Sequence, residues 1–188
     1  NNLDYRDSLP DSPTNNFATF NPLMYRWASN TTTLSEGNLK STGSSGYSFG
    51  TMNIPASGKW YFETYTVAGT SVGVVGVGDG NLLQNSSVSD VVYYLSNGTK
   101  SVNGTVTSYG ATWTTGDIIG VACDSDSGTV TFYKNGSSQG SISYDPSEKT
   151  VFFGNWGTTG YFVLNHGQDS TFAGATTAGG NTDANNIG

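Results

Sequence analysis

One cysteine, one histidine and seven cationic side chains are all that 188 residues hold of the groups that build disulfides, metal centres and phosphate grips. Cys123 has no second cysteine to pair with, so packing and hydrogen bonds must carry the fold. Arg6, Arg26, Lys40, Lys59, Lys100, Lys134 and Lys149 are scattered, and the net charge of −7 with a pI near 4.3 opposes a phosphate backbone. Nucleic acid is therefore not expected as a partner. No apolar run approaches the roughly 20 residues that span a bilayer, and no basic-then-apolar leader opens the chain. A soluble protein without membrane insertion is expected. Asn1 stands where a methionine would begin a translation product, as expected of a processed chain or an excised fragment. Ala, Leu, Glu and Lys, which fill exposed helix faces, are sparse, so helix should be nearly absent.

What is present points the other way. Gly contributes 26 residues beside many Ser, Thr and Asn, aromatics reach 13% and charged residues only 11%. That balance belongs to strands joined by many turns. The length suits one all-β domain with a sizeable core. Residues 1–30 carry three of the five prolines and no sustained period. They read as an extended arm laying Phe17, Phe20 and Trp27 on a sheet. Residues 173–188 are small and polar, with no apolar anchor after Phe172 except Ile187, and read as a flexible tail or linker. The domain itself is expected over 31–172.

Within it the pattern alternates. In Gly58–Ala68, Trp60, Phe62, Thr64 and Thr66 fall on one face while Tyr61, Glu63, Tyr65 and Val67 fall on the other. Further strands are expected near 33–41, 46–53, 72–78, 91–95, 117–123, 128–134, 138–143, 150–154 and 159–165. Strands at this spacing make a two-sheet antiparallel sandwich. Asn97-Gly98, Asn103-Gly104 and Asn135-Gly136 are the dipeptides that accept positive φ in tight hairpins. No fixed-period repeat suggests a propeller or solenoid.

The stretch Gly116–Gly136, GDIIGVACDSDSGTVTFYKNG, joins an apolar strand, an acidic turn, a returning strand and an Asn-Gly hairpin. It resembles the signature of the SPRY domain. Upstream, GKWYFETYT from Gly58 and VGVVGVGD from Val72 resemble earlier strands of that family. Downstream, Phe152-Phe153-Gly154 and Tyr161–Gly167 stand where the family has its last strands. The resemblance extends over roughly 55–170. It implies a concanavalin-like jelly roll whose loops recognise proteins, without catalytic residues and without a cofactor. A second, shorter resemblance lies in Asp11–Leu23, DSPTNNFATFNPL, and Leu34–Lys40, LSEGNLK, which are similar to the beginning of SPRY-containing structural proteins of tailed bacteriophages. The acidic, Ser-, Gly- and Asn-rich composition suits a surface-exposed viral protein.

Several chemistries compete with this reading. Asp124 and Asp126 could hold Ca²⁺ in a D-x-D-x-G loop, but Thr and Val follow Gly128 where an EF-hand would place its distal Glu, so turn capping is the simpler role. Cys123 closes an apolar strand, the usual place of a buried hydrophobe rather than of a thiol nucleophile served by His166. A sandwich glycosidase needs two carboxylates about 5 to 9 Å apart, and Glu63 has only Tyr61 and Tyr65 beside it on its face. The glycines of Gly73–Gly80 are not followed by a helix, so they read as a crowded strand rather than a phosphate loop. Asn30, Asn85, Asn97, Asn103 and Asn135 head glycosylation sequons, and the Asn-Gly turns among them need no glycan.

Aromatics remain. Trp27 and Trp60 are expected in the core, and Trp113 under the loop that leads into the signature strand. Trp156, in the glycine-rich FFGNWGTTGY, is expected in a loop, and Trp156-Gly157 matches a Trp-Gly pair of the recognition surface in some SPRY domains. Asn155, Trp156 and Gly157, with Tyr93, Tyr94 and Tyr109 in or near other loops, are the expected partner-binding residues, with burial inside the sandwich as the alternative for each aromatic. The expected role is a non-enzymatic protein-binding or adhesion module of a phage particle, a fibre, decoration or receptor-binding protein. It would be located on the virion or outside the cell, with virion proteins or a host surface receptor as partners. A carbohydrate-binding, lectin-like module is the alternative, with a glycan as ligand, and a glycoside hydrolase is a more distant one. A homo-oligomer is compatible with this role, although no heptads impose one.

Overall fold

A computed structural model describes residues 16–26, 32–67, 72–79, 91–147 and 149–177, with the side chains at 25, 26, 45 and 155–159 left outside the description. Twelve strands and no helix occupy the described residues: β1 (Phe20–Arg26), β2 (Thr33–Ser35), β3 (Lys40–Ile54), β4 (Lys59–Val67), β5 (Val72–Gly78), β6 (Val91–Leu95), β7 (Thr99–Val102), β8 (Thr105–Ser108), β9 (Ile118–Asp124), β10 (Thr129–Lys134), β11 (Ser137–Ser143) and β12 (Lys149–Asn165).

Two strands are long enough to serve both layers. Residues 161–165 of β12 pair with β4, whereas 150–156 pair with β5, and β3 follows β12 along both halves. The result is two antiparallel sheets of seven strands each, β11-β10-β9-β4-β12-β3-β2 and β8-β7-β6-β5-β12-β3-β1, which share β3 and β12. The crossing is made by a bulge. Trp156 faces Ser45 and Gly160 faces Gly43, so three residues of β12 stand against one of β3. An unequal count bends the strand and increases its twist, which carries the pair from one layer to the other.

The inner faces follow period two. Phe62, Leu164, Phe162, Ile119, Val121, Cys123, Val130, Phe132 and Ile142 of the first sheet meet Val75, Val77, Val92, Tyr94, Val151, Phe153 and Phe20 of the second in one core. The alternate residues of the second sheet, Val74, Val91, Tyr93, Leu95, Phe49 and Phe152, form a second apolar cluster on its outer face, with Met24, Tyr47 and Val72 against it. Burying a side chain of this size contributes roughly 1.5–3 kcal/mol.

The turns obey their chemistry. Asn103 and Gly104, and Asn135 and Gly136, all have positive φ, the backbone that a two-residue hairpin matching strand twist requires. At Asn97-Gly98 only Gly98 is left-handed, because Ser96 joins the connection and Gly98 N–H closes it on Leu95 C=O at 3.0 Å.

Several expectations need correction. The strand expected over 33–41 is broken at 36–39, where Glu36, Gly37 and Asn38 are all left-handed. The strands expected at 150–154 and 159–165 are one continuous β12. The arm, expected either to anchor the domain or to complete the sandwich by adding a strand, does add one, with β1 pairing β3 at Phe20–Gly50. The β7–β8 hairpin adds two strands the period did not reveal. Phe20 is fully buried and Phe17 half-buried, and Trp27 lies outside the described residues. Phe172 is buried, and the backbone turns on past it, with Thr176 N–H on Thr171 C=O at 3.0 Å; the rest of the expected tail lies outside the described residues.

Candidate recognition site

Strand directions sort the loops into two ends. At the upper end stand the β12 bend around 156–160, the β6–β7 turn, the segment 109–117 and the β10–β11 turn. At the lower end stand the turns 55–58, 125–128 and 103–104, the segment 144–147 and the residues 16–19 that lead into β1.

The upper end is built on aromatic packing. Tyr94 points inward from β6, fully buried, and donates its hydroxyl proton to the carbonyl of Ala111. Its ring meets Tyr109 edge-on at 5.2 Å, Phe132 at 5.7 Å and Trp113 at 6.1 Å. Tyr109, half-buried, donates to the carbonyl of Gly140 and lies under the Lys100 ammonium at 5.0 Å. Burial pushes the Tyr94 phenol up to about 12, helped by Tyr109 and Asp117, and burial likewise raises Tyr109. Both remain hydrogen-bond donors at neutral pH. Below them, Asp117 accepts from Thr114 N–H at 2.8 Å and Asn135 Nδ2 at 2.7 Å and sits 3.3 Å from Lys134 Nζ. Burial alone would raise its pKa, but these donors outweigh it and hold the carboxyl below its ordinary value.

The expected site residues therefore separate. Tyr94 is a buried core residue that braces the 109–113 segment. Tyr93 alternates to the outer face of the second sheet, 9% exposed, with Phe152 edge-on at 6.0 Å. Both lie in strand β6, whose five positions are all buried. Tyr109 stays at the rim. Asn155 and Trp156 are in β12 rather than in a loop, because each is paired on both sides: Asn155 with Gly46 and Gly73, Trp156 with Ser45 and Val72. Gly157 belongs to the bulge. The side chains of Asn155 and Trp156 lie outside the described residues.

Trp60, expected in the core, is 44% exposed. It shares the parity of Phe62, but it stands at the end of β4 beside Cys123, where the layers open, and its Nε1 donates to Ser57 C=O at 2.9 Å. Tyr61 beside it is 53% exposed. Sequence parity named its face correctly, and the absence of a covering element there is what periodicity cannot supply. Trp113 is buried, as expected.

The residues weighed for chemistry are committed elsewhere. Cys123 is buried between the sheets, and burial pushes its thiol up to about 12. Asp124 accepts from Ser127 N–H at 3.1 Å and pairs with Lys59, while Asp126 accepts from Gly58 N–H at 2.8 Å, so both acids cap turns. Glu63 Oε1 accepts from the Tyr61 hydroxyl at 2.6 Å. His166 packs on Phe62 at 5.3 Å, and burial lowers its pKa to about 4.

Comparison with known proteins follows the same lines. The SPRY domain of human HERC1 superposes with a TM-score of 0.66 at 22% identity, covering 80% of this chain and 99% of that one. The TRIM65 PSpry domain gives 0.61 at 16%, covering 79% and 92%. The structure of stonustoxin gives 0.60 at 20%, covering 78% of this chain and 26% of that much longer one. These likenesses establish a shared fold. No curated protein sequence matches the chain. The sequence model of the SPRY domain matches residues 59–162, more than half of the 188. The chain belongs to the SPRY domain family, whose members are generally protein-interaction modules.

Proposed function

We propose that the chain is a non-enzymatic binding module of a tailed-phage particle, a fibre, decoration or receptor-binding domain, which recognises a virion protein or a host-surface receptor through its upper end. The observation that carries this reading is the opposition of the two ends. The arm joins the sandwich at the lower end, where Gln168 Nε2 donates to Ala18 C=O at 3.0 Å and Thr19 N–H donates to Thr51 Oγ1 at 3.0 Å. The bend at 156–160, with Tyr109 among the neighbouring upper-end loops, stands at the far end of strands β4 and β5. A domain tethered through its arm would hold that bend outward. The similarity of Asp11–Leu23 and Leu34–Lys40 to phage structural proteins and the acidic composition support the particle setting.

Trp156→Ala tests the site. Unfolding in urea should shift by no more than about 0.5 kcal/mol, as for a surface substitution. Binding to purified phage particles that lack the protein, or to host cell envelopes, should be lost. A loss of several kcal/mol in stability would make Trp156 a core residue and remove it from the surface.

A further inference from the structure

The outer face of the first sheet carries a groove remote from the upper end. Tyr61 lies over Gly120 of the neighbouring β9, where a Cβ would collide with the phenol oxygen and sit 3.0 Å from Cζ and 3.1 Å from Cε2. Its hydroxyl is held by Glu63 Oε1 at 2.6 Å, and Tyr133 stands edge-on at 6.5 Å. One face of the ring is spent on backbone, half the side chain is open to solvent, and its orientation is fixed before any ligand arrives.

Two clefts flank this ring. The larger, about 440 Å³, runs between Tyr61, Glu63 and Ile118 and the segment 165–177, which folds back over the sheet with Phe172 against Tyr65 at 6.0 Å. The smaller, about 200 Å³, opens at the lower edge where the layers part, among Trp60, Met52 and residues 16–18, with Phe62, Ile54 and Val151 of the core at its floor. His166 lines both, and its Nε2 is buried without a hydrogen-bond partner.

We infer that this groove binds a neutral oligosaccharide, with one sugar ring stacked on Tyr61 and its neighbours reaching into the two clefts. The C–H face of a sugar rests on an aromatic face, and its rim of hydroxyls needs groups that accept and donate in fixed directions. The Glu63 carboxylate, the Asn165 amide and the hydroxyls of Ser170 and Thr176 line the larger cleft. Among the described residues no Lys or Arg lines either cleft, so none of them supplies the cation that an acidic sugar or a phosphate would require. The groove is separate from the 155–160 bend, so each site can fail alone.

The test is a titration of the whole chain with linear glucose, galactose and N-acetylglucosamine oligomers of about two to four units, a length suited to clefts of this size, followed by tryptophan fluorescence and amide chemical shifts. At least one series should saturate, with shifts centred on Tyr61, Glu63 and His166. Tyr61→Ala should weaken that binding about tenfold, as expected for a lost stacking contact, and Tyr61→Phe should weaken it less. Glu63→Gln keeps the shape of the side chain and should weaken binding several-fold at an unchanged unfolding midpoint. Binding by none of the neutral series, binding by acidic oligomers alone, or wild-type affinity in folded Tyr61→Ala and Glu63→Gln would each overturn the inference.

Discussion

The indole of Trp113 fills the space that a side chain on residue 73 would need: a Cβ on Gly73 would lie 2.5 Å from Cη2 and 2.7 Å from Cζ3. This contact joins the 109–117 segment to the strand that pairs with Trp156, so the upper end rests on it. Gly73→Ala should cost about 1–3 kcal/mol through overpacking, and Trp113→Ala about 3–5 kcal/mol through the cavity it leaves. Urea unfolding of the two variants measures both.

Tyr94→Phe keeps the aromatic cluster and removes only the proton donated to Ala111. The carbonyl then loses its partner at a half-buried site, which should cost about 1 kcal/mol and speed amide exchange between 109 and 113. A loss of stability without faster exchange there would assign the hydroxyl another role.

Cys123 should resist thiol reagents. A thiol raised to about 12 by burial carries almost no thiolate at neutral pH. Labelling should track unfolding in denaturant, and Cys123→Ala should retain the fold. Rapid labelling of the native protein would place the thiol at the surface.

Acid should expose His166. Its folded-state pKa is depressed from 6.5 to about 4, so the unfolded chain binds more protons between those values. Stability is therefore full above about pH 6.5 and falls as pH drops toward 4, by up to about 3 kcal/mol. Asp117, also depressed, loses its contribution at lower pH, as the pH falls through its folded value. His166→Phe should flatten the upper part of the curve and leave the lower part. A wild-type curve already flat between pH 6.5 and 4 would show that His166 is not buried neutral.

The strands were legible wherever one face met the core, because alternation in β4, β9 and β10 records burial directly. The family was legible for the same reason, since its blocks are those strands and their turns. What escaped depends on contacts distant in sequence. The bulge that fuses 150–154 with 159–165 is fixed by β3, more than a hundred residues earlier, and glycines that read as loop residues are where the bend needs them. Parity puts Trp60 in the core, but exposure at a strand end depends on where the opposite layer stops. The strand at 91–95 is legible, but period two does not show that both of its faces are covered, and five consecutive buried positions take Tyr93 and Tyr94 out of solvent. Tyr61, the platform of the groove, does not stand out in the sequence, because a strand pattern states which face a residue takes and not whether anything covers that face.

The particle role is tested most directly by an intact-particle mass spectrum and peptide count of purified tailed-phage particles carrying this coding sequence, beside sedimentation of the isolated chain. The account predicts the chain in the particles at many copies. Its absence from washed particles, with the chain sedimenting as a free monomer, would contradict the particle role and leave a free binding domain of the SPRY family.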